Sequence, residues 1–209
     1  MLSGAPAADF APFLVLLDLF GIAVFAASGA LAAARQRQTL VTFAFFALVT
    51  GTGGGTVRDL LIGAPVFWVG TNATLLICIA AGVAVWFLSR KTIADKALLW
   101  FDAIGLAAYA TYGAAKALNY GVAPVPAFAM GVMTACVGGI IRDVLANEPS
   151  ILMRPELYVT AAALASGLFV ALSLFGAPAT LAALVAGLAG FSLRGAAIAR
   201  GLSLPAYDR

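Results

Sequence analysis

Two arginine–aspartate pairs within apolar segments are the residues of this chain best suited to chemistry. Arg58 and Asp59 form the first pair, and Arg142 and Asp143 form the second, 84 residues later. Charged side chains at membrane depth turn away from lipid and mark ion or substrate pathways. The aspartates can attract a cation, whereas an arginine can hold a carboxylate in a bidentate contact. The pairs therefore predict a polar pathway through the protein.

Glycines precede each pair, with two residues between the last glycine and the arginine. They are Gly53, Gly54, Gly55, Gly138 and Gly139. Glycine in a helix interior costs about 1 kcal/mol relative to alanine and frees the backbone to leave helical geometry. Backbone groups freed inside a membrane are tolerated only where they are buried in protein or face a wet cavity. We therefore predict that both helices break at the glycines, and that the carbonyls exposed there line the pathway and replace part of a cation's hydration shell.

Each arginine is expected to need a partner other than its neighbour, because residues one apart on a helix do not face each other. Asp18 lies at a depth similar to that of Arg58, in the preceding apolar segment. The 84-residue offset relates Asp18 to Asp102 and Arg58 to Arg142. We predict that Asp18 lies close to Arg58 and that Asp102 lies close to Arg142.

A purely structural role is the alternative for these charges, in which ion pairs only hold helices together. Desolvation can cancel the Coulomb gain of a buried pair, so stability alone is a weak reason for its presence. The position of the pairs beside glycines favours a pathway. Lys116 has no counterpart, because Ala32 occupies the corresponding position. It is interpreted either as a snorkelling interfacial lysine or as a charge at the outer mouth.

The elements that position these residues are long apolar helices. Hydrophobic residues make up 63% of the chain and charged residues 10%, and the mean hydropathy is +1.04. This composition excludes a soluble globular domain, and the unbroken apolar runs differ from the alternating pattern of a β-barrel. A membrane-crossing helix needs about 20 apolar residues. Seven segments meet this requirement, at residues 11–34, 39–62, 67–89, 97–118, 123–146, 156–175 and 178–197.

A duplicated unit organises these helices. Each unit holds three crossings, an odd number, so the two copies must insert in opposite senses. The predicted fold is an all-α polytopic membrane protein with seven transmembrane helices, arranged as two inverted three-helix repeats plus a terminal seventh helix. We assign residues 11–90 to the first repeat, 95–175 to the second, inverted repeat, 178–197 to the seventh helix and 198–209 to a cytoplasmic tail.

Basic residues concentrate on one side of the predicted membrane, which places the N-terminus outside and the C-terminus in the cytoplasm. These residues are Arg35, Arg37, Arg90, Lys91, Lys96, Arg154, Arg194, Arg200 and Arg209. The net charge of +3 is therefore explained by membrane topology, and no nucleic-acid partner is expected.

The doubled Gly-Gly-x-x-Arg-Asp motif in a seven-helix chain with two repeats resembles the prokaryotic branch of the trimeric intracellular cation channel family. Related bacterial proteins with this duplicated unit are often described as glycine transporters. The resemblance extends from Asp18 through the seventh helix. It implies a homotrimer in the inner membrane of a prokaryote, with phospholipid bound between protomers. Each protomer would hold its own pore for potassium and other monovalent cations.

The resemblance also implies kinks in the second and fifth helices, with gating movements centred on the glycines. Val137 stands where the first motif has Gly53, so the second glycine run is shorter.

A passive cation channel is the favoured function. The alternative is a secondary transporter of glycine or another small amino acid, in which Arg58 or Arg142 would hold the substrate carboxylate. A structural membrane scaffold is a third possibility. An enzyme is not expected, since the sequence has no histidine, nucleotide-binding loop or metal-ligand cluster. No cofactor is expected beyond bound phospholipid.

Overall fold

Seven α-helices form the body of the part of the chain that the structure describes. The computed structural model describes residues 10–88 and 91–205. A short 3₁₀ helix (Ile151–Met153) precedes the sixth α-helix. The α-helices are α1 (Phe10–Arg35), α2 (Leu40–Leu61), α3 (Asn72–Leu88), α4 (Lys91–Asn119), α5 (Pro124–Leu145), α6 (Val159–Leu174) and α7 (Ala179–Arg200). The predicted all-α fold of seven helices is confirmed.

Four of the described helices are long and apolar enough to cross a membrane, judged by length and composition. They are Leu14–Arg35 of α1 and the whole of α2, α5 and α7. Helices α3 and α6 are also apolar but have 17 and 16 residues. Helix α3 begins later than predicted because residues 67–70 form a turn. Helix α4 has 29 residues and begins earlier than predicted, since its basic first turn remains helical.

Left-handed backbone positions end several of the helices. Gly63 after α2 has φ 70°, and Gly121 and Gly176 each have φ 76°. Glycine adopts this region without the steric penalty of a Cβ atom, which makes it the usual residue after a helix C-terminus. Asn147, at the position equivalent to Gly63, has φ 52° after α5. The two units of the duplication therefore end their second helices in the same way.

The contact between α1 and α4 repeats the duplication. A Cβ atom at Gly21 would lie 2.8 Å from the Tyr109 ring, and one at Gly105 would lie 3.0 Å from the Phe25 ring. The Phe25 and Tyr109 rings are stacked with centroids 5.2 Å apart. Gly21 is thus opposite Tyr109 and Phe25 opposite Gly105, so the two helices run antiparallel where they touch. Helix α7 packs on α4 and α6, outside the duplicated units.

The predicted breaks in the second and fifth helices are absent from the structure. Both α2 and α5 are α-helical along their whole length. Their glycines instead let two backbones touch: a Cβ atom at Gly54 would collide with the Thr134 carbonyl oxygen, and one at Gly138 would lie 2.7 Å from the Thr50 carbonyl oxygen. Close approach through small residues is a general means of packing membrane helices. The predicted lining of unwound carbonyls is therefore wrong for this conformation.

Candidate functional site

Asp59 is the centre of a buried group of charges, which we name the first charge cluster. The cluster comprises Asp18, Arg58, Asp59, Tyr112 and Lys116. Asp59 Oδ1 accepts a hydrogen bond from Arg58 Nε at 2.8 Å, and it lies 2.7 Å from Arg58 Nη2 and 2.8 Å from Lys116 Nζ. Asp59 Oδ2 accepts from the Phe67 backbone N–H at 3.0 Å. Arg58 and Asp59 are both buried, so this carboxylate neutralises two cations away from water.

The expectation that Arg58 and Asp59 cannot pair is wrong. Side chains one apart leave a helix in different directions, but the arginine side chain is long enough to fold back along the helix to its neighbour. The interpretation of Lys116 as a snorkelling interfacial lysine is also wrong. Its ammonium group points inward to Asp59, and its side chain is 15% exposed.

Asp18 lies beside this cluster but forms no direct ion pair in the described part of the chain. Its carboxylate is next to Tyr112 and within electrostatic range of Arg58 and Lys116, while Asp18 Oδ1 is buried without a hydrogen-bond partner. The Arg58 guanidinium packs over the Tyr112 ring, 4.9 Å from its centroid. Asp18 thus lies close to Arg58, as predicted, but the direct contacts of the arginine are with Asp59 and, through a cation–π contact, with Tyr112.

The second charge cluster has the same central pair. It comprises Ser28, Asp102, Arg142, Asp143 and Tyr158. Arg142 Nε donates to Asp143 Oδ1 at 3.0 Å, and Asp143 Oδ2 accepts from the Ile151 backbone N–H at 2.8 Å. Arg142 Nη1 contacts both Asp102 Oδ1 and Ser28 Oγ, each at 2.5 Å. The predicted proximity of Asp102 and Arg142 is confirmed.

The two clusters differ in the groups that surround their central pairs. Tyr112 and Lys116 face the first pair. The equivalent residues, 84 positions earlier in the chain, are Ser28 and Ala32, and these belong to the side of the second pair. The first cluster therefore holds two cationic and two anionic side chains, with Asp18 counted as ionised. The second holds one cationic and two anionic side chains. Neither arginine is left as an uncompensated positive charge.

The contact between α2 and α5 separates the two clusters. Thr134 lies opposite Gly54 and Gly138 lies opposite Thr50, so α2 and α5 run antiparallel here and Arg58 and Arg142 lie on opposite sides of the contact. This register places Arg142 about 12 residues from Arg58, or about 18 Å measured along the helix axis. No Cβ atom fits at Gly54, so the two backbones close the space between the clusters.

The other three predicted glycines face side chains rather than backbone. Gly53 faces the end of Ile141, Gly55 faces the Phe67 ring, and Gly139 faces the Tyr158 hydroxyl. All five glycines thus lie at the contact or beside a charge cluster.

Several residues of these sites were missed by sequence reasoning. Ser28 and Tyr112 occupy equivalent positions, and the duplication that revealed the Asp–Arg pattern could have identified them too. Arg194 was counted as a cytoplasmic basic residue, but it is buried within α7. Its Nη2 donates to Glu156 Oε2 at 2.6 Å. The position of Arg194 inside an apolar segment was the available signal.

Comparison with known proteins finds relatives along nearly the whole chain. A family model described as Glycine transporter matches residues 15–90 and again residues 99–174, which are the two units of the duplication. A UPF0126 membrane protein of Vibrio cholerae is 41% identical over 204 residues, covering 93% of this chain and 82% of the relative. The UPF0126 inner membrane protein YadS of Escherichia coli is 40% identical over 148 residues, covering 69% of this chain and 72% of the relative.

Solved structures with the same fold are also found. The trimeric intracellular cation (TRIC) channel orthologue from Rhodobacter sphaeroides superimposes with a TM-score of 0.87 at 44% identity, covering 91% of this chain and 99% of that one. A prokaryotic TRIC channel crystallised in 0.5 M KCl gives a TM-score of 0.85 at 27% identity, covering 92% and 99%.

Proposed function

The chain belongs to the prokaryotic branch of the trimeric intracellular cation channel family, and on that basis we propose that it forms a homotrimer in which each protomer conducts cations through its own pore. The family consists of membrane channels rather than enzymes. Relatives are named as membrane or inner membrane proteins, so the protein acts in the inner membrane of a prokaryote.

The two repeats are proposed to insert in opposite senses, with the N-terminus outside and the C-terminus in the cytoplasm. The reversed order of contacts between α1 and α4, and between α2 and α5, supports antiparallel equivalent helices. Arg35 contacts both Asp95 and Glu148, which brings the basic ends of α1, α4 and α5 together. Loops rich in basic residues favour the cytoplasmic side.

The proposed pore follows the interface between α2 and α5 and connects the two charge clusters. One observation carries this proposal: two buried Arg–Asp pairs lie on either side of a glycine contact in an otherwise apolar protein. Buried charges of this kind are expensive in a membrane and typically line ion pathways. Because Asp59 and Asp143 neutralise the arginines, and because the second cluster has one anionic group in excess, potassium and other monovalent cations are the proposed permeant ions.

The contact between Gly54 and Thr134, and between Gly138 and Thr50, is proposed to be the closed gate of this pore. Conduction then requires α2 and α5 to separate at the glycines. Helices packed through small residues can separate without unwinding, so the gate does not require a break in either helix.

Exposed apolar side chains cover the outside of the helices, including Leu16, Val41 and Leu188. In a membrane these side chains contact lipid or neighbouring protomers. We propose that the homotrimer uses part of this surface and that phospholipid occupies the space between protomers.

A carrier for glycine is the second candidate, favoured by the description of the matching family model. Arg58 Nη1 is buried and has no hydrogen-bond partner in the described part of the chain, which leaves one donor for a substrate carboxylate. In this function the same contact between α2 and α5 would separate two alternating access routes.

Recording from purified protein in a planar bilayer distinguishes the two functions. Under a KCl gradient, a channel gives stepwise currents whose reversal potential approaches the potassium equilibrium potential. Proteoliposomes from the same preparation should show no saturable uptake of labelled glycine. Saturable uptake without current steps would reject the channel in favour of the carrier.

A further inference from the structure

A further ion pair, with a buried arginine and a partly exposed glutamate, lies outside the two charge clusters. Arg194 in α7 is 1% exposed, and its Nη2 donates to Glu156 Oε2 at 2.6 Å. Arg194 Nε and Nη1 are buried and have no hydrogen-bond partner among residues 10–88 and 91–205. The guanidinium packs against Tyr158, with Cζ 5.3 Å from the ring centroid. The arginine charge is therefore compensated by one carboxylate and one aromatic ring.

Tyr158 connects this ion pair to the second charge cluster. Its side chain is buried, and its hydroxyl lies where a side chain at Gly139 would be. A Cβ atom at Gly139 would be 2.8 Å from the Tyr158 hydroxyl, 3.5 Å from Asp102 Oδ1 and 3.6 Å from Arg142 Nη2. Tyr158 thus lies between Arg194 on one side and the Asp102–Arg142 pair on the other, and its buried hydroxyl has no hydrogen-bond partner among the residues that the structure describes.

The C-terminal segment, residues 201–205, fixes the loop that carries Glu156. Gly201 ends α7 with φ 66° and turns the chain back. Ser203 then forms an antiparallel bridge with Glu156, and the Leu204 backbone N–H donates to the Pro155 carbonyl at 2.7 Å. Glu156 is 30% exposed at its side chain, so these backbone contacts restrict a carboxylate that would otherwise be free to rotate into solvent.

Within the described residues, the first charge cluster has no equivalent connection. Thr74 occupies the position equivalent to Tyr158, and α7 follows the duplicated units. Segment 201–205 is therefore attached to the end of the pathway that contains the second cluster.

We propose that Arg194 and Glu156 are positioning residues for the second charge cluster, acting through Tyr158, and that segment 201–205 holds Glu156 in place. The inference rests on the proposed function, since it gives one end of the proposed pore a control that the other end lacks. Removing Glu156 leaves a buried guanidinium without its counterion, which is strongly unfavourable. Arg194 then shifts towards solvent, Tyr158 loses its cation–π contact, and its hydroxyl leaves Gly139, so the second cluster becomes more accessible.

Cys136 provides a reporter that is independent of ion conduction. It is 5% exposed and lies within electrostatic range of Asp102 and Tyr158. Cys78 is the only other cysteine, so Cys78→Ala leaves one thiol in the full chain. We would measure the rate at which a charged methanethiosulfonate reagent modifies Cys136 in proteoliposomes, together with the open probability in planar bilayers.

Arg194→Gln, Glu156→Gln and Leu204→Pro should each accelerate Cys136 modification about tenfold and raise the open probability. This corresponds to a shift of about 1.4 kcal/mol in the accessible population. Leu204→Pro acts by removing the N–H that bonds Pro155. Arg194→Lys, which keeps the charge, should retain most of the slow modification. If the ion pair only stabilised the fold, we would not see slow modification retained in Arg194→Lys together with a raised open probability in the other variants.

Arg35→Gln is the matched control. It breaks the ion pairs with Asp95 at 2.7 Å and with Glu148 at 3.2 Å, neither of which involves Arg194, Glu156 or Tyr158, and should change neither readout. If the wild type conducts and Arg194→Gln changes neither readout, the inference is overturned and the proposed function stands. If the wild type does not conduct, the proposed function fails, and unchanged Cys136 rates would overturn the inference separately. Should Arg194→Gln fail to fold, unchanged readouts in Leu204→Pro overturn it instead.

Discussion

Asp59 is the residue of the first charge cluster that contacts both of its cationic side chains. One of its oxygens contacts Arg58 and Lys116, and the other accepts from the Phe67 backbone. The carboxylate and the Arg58 side chain are fully buried, so water cannot replace Asp59 as the partner of the arginine. Its removal would leave two positive charges facing each other in a low-dielectric interior.

Replacing Asp59 by asparagine should therefore destabilise the protein strongly. Removing one partner of a buried ion pair costs about 3–5 kcal/mol, because the remaining charge stays buried. Lys116→Gln is the matched control and should cost less, since Arg58 still neutralises Asp59. Thermal unfolding of both variants in the same detergent measures the difference. Equal losses of stability would show that removing the Asp59 carboxylate costs no more than removing the Lys116 charge, and would contradict this account of Asp59.

The ion pairs were partly predictable from individual residues. The Asp102–Arg142 contact followed from depth and duplication, which fix where helices place their residues. The Arg58–Asp59 contact did not, because helical periodicity describes the direction in which side chains leave the backbone and not the reach of a long one. Arg194 was missed because its closeness to a basic C-terminus suggested a loop residue.

Helices α2 and α5 show how glycine acts at the scale of an element. Both remain helical through their glycines, although glycine has a low intrinsic helix propensity. Tertiary packing supplies most of the stability of a helix in a folded protein, and here it is the contact between the two backbones that requires glycine. Hydropathy predicted where the helices lie, but propensity alone could not distinguish a break from a close contact.

Gly54→Ala should shift the protein towards the open state. The added methyl group would overlap the Thr134 carbonyl oxygen, which belongs to backbone and cannot rotate away. Overpacking of this kind costs about 1–3 kcal/mol, equivalent to about a 5- to 150-fold rise in the ratio of open to closed channels. Single-channel recording measures this ratio.

Gly53→Ala is the control for that substitution. It makes the same chemical change in the same helix but meets only the flexible end of Ile141. We expect little change in its open probability. An equal effect of both substitutions would indicate a response to helix propensity rather than to the contact with Thr134.

At the scale of the whole molecule, duplication accounts for the features that the two units share but not for those in which they differ. Equivalent contacts at Gly54 and Gly138, and at Asp59 and Asp143, follow from one repeated unit. The seven helices and their approximate bounds could be predicted from hydropathy. The features that differ between the units could not be predicted from the repeat, because Lys116 and the Arg194–Glu156 pair have no equivalent in the other half.

The central claim is that each pore opens by separation of α2 from α5 at their glycine contact. Gly53→Cys with Ile141→Cys, in a background without the native cysteines, places two partly exposed thiols across this interface. A short bifunctional methanethiosulfonate reagent should link them. We predict that linking abolishes the potassium current in planar bilayers, that a reductant restores it, and that neither single-cysteine variant responds. Undiminished current through fully cross-linked protein would contradict the claim.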